Sequence, residues 1–183
     1  MSALSPREEM LLSADETRTV IQQMAGKILA NLNQPEKRVL VGIRRGGAVV
    51  ARLLRAQLQA AVQVEIPIGY LDITFYRDDL RTIAPNPVVG ATDLAMSIDN
   101  RRIILVDDVL FTGRTIRAAL NALFDYGRPE GVELAVLVDR GGRQLPIQPD
   151  YAGRLVEAGS GETIKLVEHP PGEWNVVRRR PVT

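Results

Sequence analysis

One stretch constrains this chain more than any other: Ile103–Thr115, which reads I-I-L-V-D-D-V-L-F-T-G-R-T. Four apolar residues run into two adjacent carboxylates, Asp107 and Asp108. A short turn follows, then Thr112-Gly113-Arg114-Thr115. Ile116, Ala119, Leu120, Leu123 and Phe124 come next at the three-and-four spacing of an amphipathic helix. The stretch therefore predicts a buried strand, an acidic pair at its C-terminal end, a hydroxyl-rich loop and a helix. In an open α/β sheet, ligands bind at the carboxyl ends of the strands. A loop that opens a helix offers unpaired N–H groups and a positive dipole end to an anion. Thr112 and Thr115 add hydroxyl donors, and Gly113 lets the backbone come close. Such a stretch can hold a phosphate beside a pair of carboxylates.

A sugar phosphate needs both. Asp107 and Asp108 can accept hydrogen bonds from vicinal ribose hydroxyls while the loop binds the 5′-phosphate. The Walker A pattern and the G-x-G-x-x-G dinucleotide fingerprint are both missing here. The apolar run followed by D-D-x-x-x-T-G-x-T resembles the phosphoribosyl-diphosphate (PRPP) signature of type I phosphoribosyltransferases.

The whole chain sets wider bounds. At 183 residues it is expected to be a single domain over residues 1–183, large enough to bury a core. The net charge of +1 gives no global push toward nucleic acid or membrane, although a local basic patch remains open. With no cysteine, a disulfide framework, a thiolate nucleophile and a cysteine metal site are all excluded. One histidine, His169, rules out a multi-histidine metal site. No apolar run is long enough to span a bilayer and there is no signal-peptide pattern, so the cytoplasm is the expected location.

Taken in order, residues 1–12 are expected to be loose. Ser13 and Glu16 have the spacing of a capping box. Ile21, Met24, Ala25, Ile28, Leu29 and Leu32 then mark one face of a helix. Arg38–Ile43 reads as a buried strand. Arg44-Arg45-Gly46-Gly47 leads from it into a helix with Val50, Leu53, Leu54 and Leu58 on one face. Two glycines weaken a helix start, but they suit a backbone that turns sharply and approaches a ligand. Arg45 beside them supplies a cation for a diphosphate. Alone, this turn fits an ordinary surface connection equally well; beside the acidic motif, the diphosphate reading is better.

Val62–Ile68 and Tyr70–Tyr76 read as two strands around Gly69. From Arg77 to Asn100 a long segment with Pro85, Pro87 and Gly90 lacks periodicity, as functional lids do. Gly127 and Pro129 stop the helix after the acidic motif. Val132–Val138 is a further buried strand, and strands near 163–167 and 174–178 close the chain. Arg178-Arg179-Arg180 reads as a solvated basic end.

Several stretches together resemble one family more closely than they resemble a fold. They are Val41-Gly42-Ile43, Leu71-Asp72-Ile73-Thr74-Phe75-Tyr76-Arg77-Asp78-Asp79-Leu80, Val106–Thr115, Gly127-Arg128-Pro129 and Ala135–Gly141. Their order and spacing resemble those of the PyrR family, described as pyrimidine-operon regulators and uracil phosphoribosyltransferases. The resemblance spans about residues 15 to 178. The L-D-I-T-x-Y-R-D-D stretch is its most specific part and argues against a purine or orotate enzyme that shares only the core.

The resemblance implies an α/β type I phosphoribosyltransferase fold: a parallel sheet flanked by helices, with a small hood. The implied reaction is uracil plus PRPP giving UMP and diphosphate, with Mg²⁺ bound mainly through the PRPP diphosphate and no protein metal ligand named. The implied PRPP and UMP contacts are Arg45, Gly46, Gly47, Val106, Asp107, Asp108, Val109, Leu110, Phe111, Thr112, Gly113, Arg114 and Thr115. Asp107, Asp108, Arg45 and the lid residue Arg77 (or Arg81) carry the implied catalysis by charge placement. Uracil would be read near Val138, Asp139 and Arg140. The family also implies a homodimer or homotetramer, and binding of a stem-loop in pyrimidine-operon (pyr) mRNA, tighter with UMP bound. Candidate RNA contacts are Arg140, Arg143, Arg154 and Lys165.

Two departures stand out. Many relatives have T-R-G where this chain has Arg45-Gly46-Gly47, which resembles the K-G-G form of purine phosphoribosyltransferases. Many also have R-G-H-R-E-L-P where this chain has Arg140-Gly141-Gly142-Arg143-Gln144-Leu145-Pro146. The second departure bears on RNA binding more than on catalysis. A nucleotide-sensing RNA-binding regulator with little or no catalysis is the alternative reading.

Overall fold

The computed structural model describes residues 8–74 and 92–181. Five strands form a parallel sheet in the order β3-β2-β4-β5-β6: β2 (Arg38–Ile43), β3 (Ile68–Leu71), β4 (Arg102–Leu110), β5 (Gly131–Asp139) and β6 (Tyr151–Leu155). Three helices join and flank it: α1 (Ala14–Ala30), α2 (Gly46–Ala61) and α3 (Arg114–Asp125). A second, antiparallel sheet of three strands, β1 (Glu8–Leu12), β8 (Trp174–Arg179) and β7 (Thr163–Glu168), forms the hood. This is the α/β, type I phosphoribosyltransferase-like architecture expected from the sequence.

The central strand shows why both faces of the sheet are covered. Side chains alternate across a strand. Ile104 and Val106 of β4 pack with α1 and α2, whereas Ile103 and Leu105 pack with α3. A run that is apolar at every position therefore belongs in the middle of a parallel sheet, and all four side chains are fully buried. Ser13 caps α1 through the expected box with Glu16, and Ile21, Met24, Ala25 and Ile28 form its buried face. In α3, Ile116, Ala119 and Leu123 are buried, while Phe124, expected on the same face, is 42% exposed.

Four expectations need correction. Glu8–Leu12 is not loose, because its backbone pairs with β8 as the hood's edge strand. Val62–Pro67 is not a strand. It is a connector whose Ile66 is buried, and pairing begins only after Pro67, at Ile68; proline cannot donate to a ladder. The short turn expected directly after the acidic pair is strand instead, because β4 runs on through Leu110. The Arg178–Arg180 run is not a free basic end: Arg178 and Arg180 pair with Glu9 and Glu162, and Arg179 Nε donates to Glu8 at 2.5 Å.

Candidate active site

Asp108 lies at the C-terminal end of β4, on the face toward α2. The two glycines that open α2 are packed against the acidic motif. A Cβ on Gly46 would stand 2.1 Å from Oδ2 of Asp108, and one on Gly47 would stand 2.3 Å from the Val106 carbonyl oxygen. A Cβ under 3.0 Å from a neighbour forces that neighbour to shift; the Asp108 side chain can do so, the backbone of β4 cannot, so glycine is required at Gly47 for the Arg44–Gly47 loop to meet the end of β4. The glycines thus serve a close approach between two loops of the protein itself. The peptide joining Arg44 to Arg45 is cis.

Asp107 is buried, and its Oδ1 accepts a hydrogen bond from the Asp108 N–H at 3.0 Å. Among the described residues, the side chains of Asp108 and Arg45 have no hydrogen-bond or ion-pair partner. Arg44 is held differently, with its guanidinium 5.4 Å from the centre of the Tyr70 ring.

The Thr112–Thr115 loop follows. Gly113 takes φ +90°, a left-handed conformation that favours glycine, at the position that caps α3. Thr112 Oγ1 accepts from the Arg114 N–H at 3.3 Å, and Arg114 Nε donates to Gln144 at 2.9 Å. The loop is braced from behind by residues 140–147. Arg143 donates to the carbonyls of Phe111 (3.0 Å) and Ile147 (2.9 Å) and to the Asp139 carboxylate (2.6 Å). Burial pushes the Asp139 carboxyl up, but the Arg143 guanidinium and the Gly141 N–H outweigh it and hold it below the usual carboxylate range. Arg140 lies over the Phe111 ring, 3.9 Å from its centre, and donates to the Glu162 carbonyl at 2.8 Å.

A cavity of about 850 Å³ opens at these strand ends. Arg45, Gly46, Asp107, Asp108, Val109 and Thr115 border it, so six of the expected PRPP contacts meet at one space, together with the RNA candidate Lys165. Arg44, Asp72, Ile73, Thr74 and Leu166 border it as well and were not singled out as site residues. Asp72-Ile73-Thr74 had a signal, because it opens the most specific part of the family resemblance. The Asp72 carboxylate accepts from the Thr74 N–H (2.7 Å) and hydroxyl (2.5 Å), which sets the turn leaving β3. Arg77 and Arg81 lie outside the described residues.

The remaining candidates fall elsewhere. Gly47, Val106, Leu110, Thr112, Gly113 and Arg114 adjoin these residues in the chain without bordering the cavity, and Phe111, 43% exposed, lies under Arg140. Val138 is fully buried and paired in register with Val109; Asp139 and Arg140 are engaged as above. The four candidate RNA contacts have different surroundings: Arg143 donates to the Phe111 carbonyl and Arg140 to that of Glu162, Arg154 borders a small groove with Glu16 and Gln23, and Lys165 borders the large cavity.

The phosphoribosyl transferase domain family matches residues 9–167. Proteins named Bifunctional protein PyrR align along most of their length. That of Roseiflexus sp. is 49% identical over 162 residues, covering 88% of both chains. That of Deinococcus deserti is 46% identical over 166 residues, covering 91% of both. The chain belongs to the PyrR family of phosphoribosyltransferases. A wider likeness of fold accompanies this membership. A hypoxanthine phosphoribosyltransferase of Trypanosoma cruzi superposes with a TM-score of 0.71 at 20% identity, covering 99% of this chain and 95% of that one. A hypoxanthine-guanine enzyme of Bacillus anthracis gives 0.68 at 15% identity, covering 94% and 98%. The PyrR family relation thus rests on sequence, and the shared architecture extends beyond it.

Proposed function

We propose that the chain transfers the phosphoribosyl group of PRPP to uracil, giving UMP and diphosphate, and that with uridine nucleotide bound it engages a stem-loop of pyrimidine-operon mRNA. The observation that carries the catalytic half is the meeting of Arg45-Gly46, Asp107-Asp108 and Thr115 at one cavity. The regulatory half is supported by the PyrR relatives. We place the protein in the cytoplasm as a homodimer or homotetramer; no helix among the described residues is long and apolar enough to cross a membrane.

Each part of PRPP has a matching wall. The N-terminus of α3, with the N–H groups and hydroxyls of Thr112–Thr115, takes the 5′-phosphate. Asp107 and Asp108 accept from the ribose hydroxyls. Arg45 serves the diphosphate. Uracil lies beside Val109, next to the paired end of β5 at Val138–Arg140. As the C1–diphosphate bond breaks, positive charge grows on the ribose and negative charge on the leaving group. Carboxylates under the ring and cations around the diphosphate stabilise that separation in place.

The donor set suits Mg²⁺. Asp72 and Asp108 offer hard oxygens at the cavity, and no cluster of three acidic or histidine side chains able to hold a metal exists among the described residues. Mg²⁺ binds through one or two carboxylates plus substrate phosphates; when bound it neutralises the leaving diphosphate.

Diphosphate release from PRPP with Mg²⁺ tests this, with uracil, orotate, hypoxanthine or no base. Uracil-dependent release is expected. Release with hypoxanthine instead would overturn the base assignment. Nucleotide binding without release under any condition would favour a regulator that only senses nucleotide. Gel-shift of a pyr stem-loop, with and without UMP, tests the regulatory half.

A further inference from the structure

The hood places a cation over the active site that the sequence had suggested for RNA. Lys165 sits on β7, between buried Ile164 and partly buried Leu166, opposite Val177 of β8. β7 packs against β4, which carries the acidic pair. Ile164 is turned into the core, and Lys165 and Leu166 beside it both border the same cavity as Arg45, Asp108 and Thr115.

Its neighbours in the hood make the difference clear. Arg178, Arg179 and Arg180 are each ion-paired with Glu8, Glu9 or Glu162. Lys165 has no ion-pair or hydrogen-bond partner among the described residues. Arg45 shares that condition, whereas Arg44 is placed over Tyr70. Two unpaired cations, one from the core loop and one from the hood, thus border a single cavity. The 5′-phosphate already has its helix terminus and hydroxyls, and the ribose has its carboxylates. The diphosphate is the most highly charged part of the substrate and the part with the fewest assigned partners. An ammonium is a compact point charge that serves phosphate oxygens without demanding a planar fork.

We propose that Lys165 contacts the diphosphate of PRPP from the hood, opposite Arg45, and so belongs to the machinery that binds and stabilises the leaving group. This rests on the phosphoribosyl-transfer reading. It also makes the hood part of the catalytic site, since β7 is held by β8 and, through β8, by β1.

The test compares Lys165→Ala and Lys165→Arg with the parent protein, by steady-state kinetics and by calorimetric titration with PRPP, diphosphate and UMP. Lys165 is exposed, and the fold is checked by circular dichroism. The alanine variant is expected to raise the KM for PRPP and weaken diphosphate binding by about tenfold, with UMP binding changed less than about twofold, because UMP lacks the diphosphate. Arginine, which keeps the charge, should recover most of the loss. Unchanged PRPP and diphosphate binding in the alanine variant overturns the proposal. So does an equal loss for UMP, or a rise confined to the KM for uracil, since either places Lys165 on another part of the ligand. If the parent protein transfers nothing to any base, the titrations still decide the Lys165 contact, separately from the reaction.

Discussion

Asp108 stands against Gly46 with no room for a methyl group between them: a Cβ on the glycine would lie 2.1 Å from Oδ2 and 2.3 Å from Cγ of the carboxylate. The first turn of α2 and the acidic end of β4 therefore define each other's positions. Gly47 faces backbone, with its Cβ direction 2.3 Å from Val106 O and 2.9 Å from Asp107 Cα. A side chain can swing aside; a central strand of a parallel sheet cannot. Gly46→Ala should therefore displace Asp108 and lower kcat/KM by about a hundredfold, at a stability cost of about 1 kcal/mol. Gly47→Ala should cost about 3 kcal/mol or more. Thermal melts and kinetics on the two variants check the contrast. Equal losses of melting temperature would show that Asp108 is as immovable as the strand.

Asp108→Asn keeps the shape of the side chain and removes its charge. Its carboxylate has no partner among the described residues, so the fold should lose little. In the proposed mechanism that charge stabilises the developing ribose cation, so kcat should fall by about a hundredfold, with the KM for uracil within about threefold. Unchanged turnover would remove Asp108 from the mechanism.

Much of this site could be read from the chain because a local pattern carried it. The run from Ile103 to Thr115 has its strand, its acids and its phosphate loop in immediate succession, and the alternation of β4 between two cores is visible in its unbroken apolar start. Contacts made across the fold were hidden. Arg143 stood in the sequence only as a candidate RNA contact, and its reach to Asp139, Phe111 and Ile147 at once was not visible there. Lys165 could not be placed over the cavity before the hood was built from β1, β7 and β8, whose pairing joins the two ends of the chain. β6 was missed for a local reason. It has five residues with Gly153 in the middle, at the edge of the sheet, and offers no apolar run.

Arg143 makes the loop that opens α3 sensitive to acid through its pair with Asp139. The folded Asp139 carboxyl lies below its ordinary value of 3.8, so the ionised form contributes stability above that pH. That stability is lost as pH falls through the lowered folded-state value. Asp139→Asn should flatten the acid side of a melting-temperature profile between about pH 5 and 2. Arg143→Ala leaves Asp139 nearly buried without its cation and should cost about 3 kcal/mol near neutral pH. An acid limb as steep in Asp139→Asn as in the parent protein would assign it to other carboxylates, Glu133 first among them.

Glu133 belongs to a second charged network, at the opposite end of the sheet from the cavity. Arg38 is only 4% exposed and pairs with Glu133, which also accepts from Arg102 at 3.3 Å and from the Tyr151 hydroxyl at 2.9 Å. Burial, then the hydrogen bond to Glu133, push the Tyr151 phenol up to about 12 from an ordinary value of 10.0. The protonated phenol therefore contributes stability that is complete below pH 10 and is lost as pH rises through about 12. Phenolate absorbance titrated alongside circular dichroism tests this. Tyr151 should ionise only near pH 12, and Tyr151→Phe should delete that late step. The same variant leaves Glu133 with both arginines, so it should cost only about 1 kcal/mol. A phenolate signal missing from Tyr151→Phe near pH 10, while the fold is intact, would mean that the hydroxyl is open to water and the link from β6 to Glu133 is not made.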